Sequence, residues 1–219
     1  MTGFDFKRLD NEITLGINYI YRYYTPTALI FNDRKFYYDN EEALTKLDCI
    51  RIGNRKYFGT NNKKVIGVRM KDTGFLLPID FSQGLKTGLY KTNLTGLTAL
   101  SLAIALGFKE IYLLGYDCGF NFNPKIKLKR QDGHFFSKDF KTYGDTKSAA
   151  RELNNAVKDF DVYRDVPGIF DCSINGALRQ FPKVRISQVL EAPAIKLNRD
   201  EQTNRLLDKW VAQTTKAIW

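Results

Sequence analysis

Asp117 stands three residues past an uninterrupted apolar run, Ile111 to Leu114. A carboxylate just beyond a strand's C-terminal end can bind a substrate hydroxyl, or a metal coordinated through phosphates. An aspartate that merely caps the next turn carries the same signature. His134 is the sole histidine of the chain. It lies in a basic, aromatic segment, and an imidazole that titrates near neutral pH suits a general base; packing between Phe135 and Phe136 is the alternative. Asn18 and Asn32 each follow a predicted strand segment, where a side-chain amide can address a nucleobase or ribose, with Asp33 beside the second. Turn asparagines are the plainer reading of both. Thr95-Gly96 opens an apolar helix whose first turn, the positive end of the helix dipole, suits an anion; close packing of the glycine against a sheet is the alternative. Tyr116, Lys138 and Tyr143 are candidate phosphate contacts.

Several chemistries are excluded by what is missing. The sequence has no GxxxxGKS or GxxxxGKT loop and no GxGxxG after a strand, which argues against a P-loop kinase. It has no GxSxG elbow to go with its single histidine, which argues against a serine hydrolase. Cys49, Cys118 and Cys172 lack CxxC spacing, so reduced thiols are expected rather than a disulfide framework or a zinc site. A metal would have to be held mainly by carboxylates, and no metal site is assigned.

The elements that must position these residues are legible in outline. The 219 residues, 43% hydrophobic and 14% aromatic, are enough for one globular α/β domain with a full core. Ile13–Ile20 and Ala28–Phe31 read as neighbouring strands around a turn at Thr25-Pro26. Asp39 to Leu47 suits a helix capped by Asp39 or Asn40, followed by strands at Cys49–Ile52 and Val65–Val68. The stretch from Thr95, with small residues alternating with leucines, predicts a buried helix stopped at Gly107. IYLL then reads as a strand covered on both faces in a parallel sheet, completing the helix-to-strand half of a βαβ unit. A polar, basic and aromatic segment, about 118–144, has the length of a functional lid. Asp145–Phe160 predicts an amphipathic helix, Ile169–Cys172 a strand, Asn175–Phe181 a turn and short helix, and residues 193–219 a helical tail.

The segment TGLTALSLAIALGFKEIYLLGYD, Thr95 to Asp117, resembles the corresponding stretch of bacterial lipooligosaccharide sialyltransferases. In that family a Ser-Gly pair opens a helix ending in AIALG, followed by KEIYL and a Gly-x-Asp turn. The chain is also similar to a bacterial and phage domain family related to archaeal-type hydroxymethylpterin diphosphokinases. GINYIYRYYTPTALIFND looks like the family's asparagine-bearing strand and the strand after it, GHFF like its histidine-containing lid, and IFDCSINGALRQFPKV like its last strand and helix. The resemblance implies a Rossmann-like three-layer sandwich with a mainly parallel central sheet over residues 1–192. It implies a cytidine nucleotide sugar bound without a metal, through Asn18 and Asn32, with His134 as base. Gly119 stands where the family has a phosphate-binding tyrosine, and His134 lies farther upstream of the following helix than the family's base. The family's opening strand and GNGPSL turn have no counterpart, so the first strand and its glycine-rich turn are expected to be missing.

Three functional readings follow. The first is a glycosyltransferase-like enzyme that binds a nucleotide sugar and transfers the sugar to an acceptor hydroxyl. The second is a magnesium-dependent diphosphotransferase, with magnesium at Asp117. The third is a catalytically degenerate, phage-type module that binds nucleic acid or a protein partner. A formal charge of +10 favours polyanionic partners in each case. No apolar run is long enough to span a bilayer, so a cytoplasmic protein of a bacterium or phage-infected cell is expected, self-associating into a homo-oligomer if at all.

Overall fold

The computed structural model describes residues 4–58, 64–72, 85, 88–91, 94–116, 118, 157–173, 176–190 and 199–215. Strands β1 (Leu15–Ile17), β2 (Ala28–Phe31), β3 (Ile50–Asn54) and β4 (Ile66–Val68) form a four-stranded sheet in that order, and every pairing is parallel. Its centre is dictated by ALIF, whose four residues are all fully buried. Successive side chains of a strand point to opposite faces, so a strand buried at every position is covered on both. Ala28 and Ile30 enter one core with Ile52, Val68, Leu102 and Leu106. Leu29 and Phe31 enter a second with Phe36, Tyr37, Leu44 and Phe58. The result is a Rossmann-like sandwich of helices on both faces of a parallel sheet.

The second core is closed by helices α1 (Arg34–Thr45) and α2 (Arg55–Phe58). Helix α1 begins five residues earlier than Asp39, the start predicted from sequence. Asp33 is its N-cap, accepting a hydrogen bond from the Lys35 amide at 2.7 Å, and Phe36, Tyr37 and Leu44 form its buried face. The acidic residues Glu41 and Glu42 therefore sit in mid-helix rather than in the first turn. Strand β1 is also shorter than the run Ile13–Ile20. Asn18 adopts φ of 46°, in the left-handed region that a strand cannot continue through, and the chain winds into a 3₁₀ segment over Asn18–Arg22.

The first core is closed by α3 (Thr95–Ala105), as expected from its small residues: eight of its side chains are buried. Gly107, at φ of 75°, ends it. Its amide donates to the Ile104 carbonyl at 2.9 Å and the Phe108 amide to the Ala103 carbonyl at 3.2 Å, the Schellman pattern that requires a left-handed residue. Ahead of α3, strands β5 (Met70–Asp72) and β6 (Leu89–Lys91) form a parallel pair. The C-terminal helix, Arg199–Thr215, packs Leu206 and Trp210 into the same core, and its buried Gln202 reaches Thr27 Oγ1 and donates to the Asp10 carbonyl.

By its internal contacts the chain divides into two compact units, Asp5–Ile111 with Leu190–Trp219, and Tyr112–Val189 with Met1–Phe4. In the second unit β7 (Ile111–Leu113) pairs with β8 (Ile169–Asp171) in a separate two-stranded sheet, with Tyr112 stacked on Phe170 at 5.2 Å. This corrects the expectation that IYLL is sheathed on both faces. Among the described residues β7 has one neighbouring strand, and only Leu113 of its three residues is buried. The predicted amphipathic helix is described from Val157 onward, where it closes into a 3₁₀ turn over Phe160–Tyr163; residues 145–156 lie outside the described residues. Gly176 to Phe181 makes bends in place of the predicted short helix, and a helical turn appears later, at Ile186–Val189. No helix among the described residues is long and apolar enough to cross a membrane.

Candidate functional site

The C-terminal ends of β1, β2 and β3 each carry an asparagine. Asn18 directly follows β1, Asn32 directly follows β2, and Asn54 is the last residue of β3. The register pairs Phe31 with Gly53, so Asn32 and Asn54 are the next residues along adjacent parallel strands. In open parallel sheets this edge is where ligands bind, because the strand ends and the helix N-termini that follow converge there.

Helix α3 reaches the same edge. Asn18 Nδ2 lies 3.4 Å from Thr95 Oγ1, and Asn32 Nδ2 donates to Thr98 Oγ1 at 2.9 Å. Thr95 and Thr98 are one helical turn apart, so a single face of α3 meets two strand ends. Asn32 Oδ1 is buried and has no hydrogen-bond partner among the described residues. An amide half-used in this way costs about 1–3 kcal/mol if it stays unpaired, so it is an expensive feature to keep in a fold without a ligand. Asn18 is held in the left-handed conformation, which asparagine tolerates better than other side chains other than glycine. Helix α3 has Leu94 as N-cap, whose own side chain makes no capping hydrogen bond, and Gly96 lies in its first turn.

Two further residues are committed to local structure. Asp33 is exposed and spends Oδ1 on the Lys35 amide, as helix cap. Asn54, 4% exposed, does the same for α2, accepting from the Lys56 amide at 3.0 Å. Beside Asn32 opens a cleft of about 530 Å³ lined by Asn32, Asp33, Arg34, Lys35, Tyr38, Asp39 and Tyr57.

Of the residues selected from sequence, Asn18, Asn32, Thr95 and Gly96 are brought together at this edge, with Asp33 next to it in a capping role. Tyr116 belongs to the other unit. There its ring meets Phe160 edge-on at 6.1 Å, and burial pushes its hydroxyl above the ordinary phenol value, which keeps it protonated. Asp117, His134, Lys138 and Tyr143 lie outside the described residues, as does the lid segment apart from Cys118. Sequence reasoning missed Thr98 and Asn54. Spacing could have found the first, three residues after Thr95 on an opening helical turn, and the second repeats the pattern of an asparagine closing a strand.

Beyond β8, burial and the neighbouring Asp171 push the Cys172 thiol up from 9.0 to about 11. An unfolded thiol gives up its proton first, so the unfolded state binds fewer protons between these values and stability falls as pH rises through them. Denaturation of the wild type and Cys172→Ala between pH 8 and 11 is expected to show a steeper decline in the wild type. Parallel curves would show that Cys172 is not held protonated.

No protein-family model, curated protein or solved structure matches the chain.

Proposed function

We propose that the protein is a glycosyltransferase-like enzyme that binds a nucleotide sugar at the C-terminal edge of the four-stranded sheet and passes the sugar to an acceptor hydroxyl. The observation that carries this reading is the pair of strand-end amides, Asn18 and Asn32, meeting Thr95 and Thr98 on the opening turn of α3. Planar amides match the donor and acceptor edges of a base or the hydroxyls of a ribose, and the positive end of α3 favours the diphosphate or phosphate that follows. The sequence resemblance of Thr95 to Asp117 supports the same assignment.

In the proposed reaction the acceptor oxygen attacks the anomeric carbon in line with the bond to phosphate. A new carbon–oxygen bond forms as the bond to the leaving phosphate oxygen breaks. The acceptor proton passes to a base, for which His134 and Asp117 are the candidates, and the nucleotide departs with the bonding electron pair.

Isothermal titration with a panel of nucleotides and nucleotide sugars tests binding. One member of the panel is expected to bind, and Asn18→Gly to weaken it about tenfold, the effect of losing one hydrogen bond to the ligand. Glycine keeps the left-handed backbone at this position, so the fold is retained and only the amide is lost. No heat with any of these compounds at millimolar concentration would end the proposal.

A further inference from the structure

The cleft beside Asn32 combines two features that the contacts of Asn18 and Asn32 with α3 do not use. Tyr38 on α1 and Tyr57 on α2 both line it, and they remain 52% and 38% exposed. Large aromatic side chains are costly to leave in water without a partner. Tyr38 is held in place rather than loose: its ring packs edge-on against Tyr37 at 5.5 Å, and the Arg34 guanidinium sits 5.3 Å from its centroid.

The second feature is charge. Of the two carboxylates in the lining, Asp33 caps α1 and Asp39 pairs with Lys35. Arg34 in the lining, and the exposed Arg55 and Lys56 that precede Tyr57 on α2, have no carboxylate partner among the described residues. One unpaired cation in the lining and two more next to Tyr57 in sequence, together with two presented rings and one amide, suit a strand whose phosphates meet cations while its bases stack on side chains.

We infer that this cleft binds single-stranded nucleic acid, with bases stacked on Tyr38 and Tyr57 and phosphates held by Arg34, Arg55 and Lys56. An acidic peptide would satisfy the cations and leave both rings unused. Duplex DNA keeps its bases stacked inside the helix and offers the tyrosines nothing to stack on. The inference does not depend on the nucleotide-sugar reading: the two share Asn32, but the rings and cations lie outside the contacts of Asn18 and Asn32 with α3.

Fluorescence anisotropy of the full chain with labelled 12-mers of dT and dA, in a salt series, tests it. The protein is expected to bind both single strands more tightly than a duplex of the same length. Tyr38→Ala and Tyr57→Ala are each expected to weaken binding about tenfold, with Tyr38→Phe and Tyr57→Phe restoring it because stacking needs the ring alone. Arg34→Gln is expected to reduce the dependence of log affinity on log salt by about one. Circular dichroism of these surface variants checks that the fold is intact. Equal binding of duplex and single strand, equal competition by polyglutamate, or affinity unchanged in both alanine variants would overturn the inference. Loss of strand binding with nucleotide titration heats retained would defeat this inference alone, and the reverse pattern would defeat the nucleotide-sugar proposal alone.

Discussion

Replacing Lys183 by methionine is expected to lower the unfolding free energy by about 3–5 kcal/mol, because it strands a buried charge. The Asp171 carboxylate is fully buried at the end of β8. Its Oδ1 accepts from the Ser173 amide at 2.7 Å, and its Oδ2 receives the Lys183 ammonium. Lys183 also donates to the carbonyls of Ser173 at 2.9 Å and Gly176 at 3.4 Å, so one cation ties the end of β8 to the segment that follows it. Methionine fills much the same volume and supplies no donor. Urea denaturation of Lys183→Met measures the loss. The double variant Asp171→Asn, Lys183→Met should recover a large part of it, since the uncompensated charge is gone. A single variant within about 1 kcal/mol of wild type would mean that the pair is solvated, as surface ion pairs are.

Phe31→Ala is expected to cost a similar amount, about 3–5 kcal/mol, for a different reason. The side chain is fully buried, with ring centroids 5.7 Å from Phe36, 5.5 Å from Tyr37 and 5.5 Å from Phe58. Phe31 is registered against Gly53, where an added Cβ would lie 2.6 Å from the Phe58 ring and 3.0 Å from Phe31. The two rings thus occupy the space that glycine leaves, and a sheet roofed by α1 and α2 has little freedom to collapse into the hole that alanine would create. Phe31 also immediately precedes Asn32, so the same variant should weaken any ligand held by that amide. Thermal or urea unfolding gives the first number, and nucleotide titration of the surviving fold gives the second. A loss below about 1.5 kcal/mol would show that the aromatic cluster repacks freely.

What was legible in the sequence was the part whose signal is local and redundant. ALIF is an apolar run of strand length set off by the turn at Thr25-Pro26, and Gly107 after a run of small residues and leucines marks a helix end by its own backbone requirement. Helix α1 starts ahead of its sequence signal because its cap, Asp33, looks from sequence like one more polar residue beside Asn32, while Asp39 and Asn40 look like a better cap before an acidic stretch. The choice is made by Phe36 and Tyr37, which have to reach the core behind β2, and that is tertiary information. Strand β1 stops short of its sequence signal because the β-prone residues Tyr19, Ile20 and Tyr21 are apolar for a different purpose: after the left-handed turn at Asn18 they pack against the second core from a 3₁₀ segment.

At the site, Asn18, Asn32, Thr95 and Gly96 were chosen because each adjoins an element end, and the parallel sheet brings them to one edge. Their partnership was not legible. The two hydrogen bonds that join Asn18 to Thr95 and Asn32 to Thr98 span separations of 77 and 66 residues, which no local pattern encodes. The tyrosines and cations of the neighbouring cleft were invisible for the same reason, since α1 and α2 meet there only through the folding of β2 and β3.

The side-chain amide resonances of Asn18 and Asn32, followed by ¹H–¹⁵N correlation spectra while a nucleotide sugar is added to the labelled protein, report directly on the edge where the ligand is placed. Asn18→Gly and Asn32→Ala assign the two signals. Saturable shifts of both, larger than those of asparagine side chains elsewhere in the chain, are the expected result. Saturable binding that leaves both amides unmoved would put the nucleotide somewhere else and contradict the assignment of this sheet edge as its site.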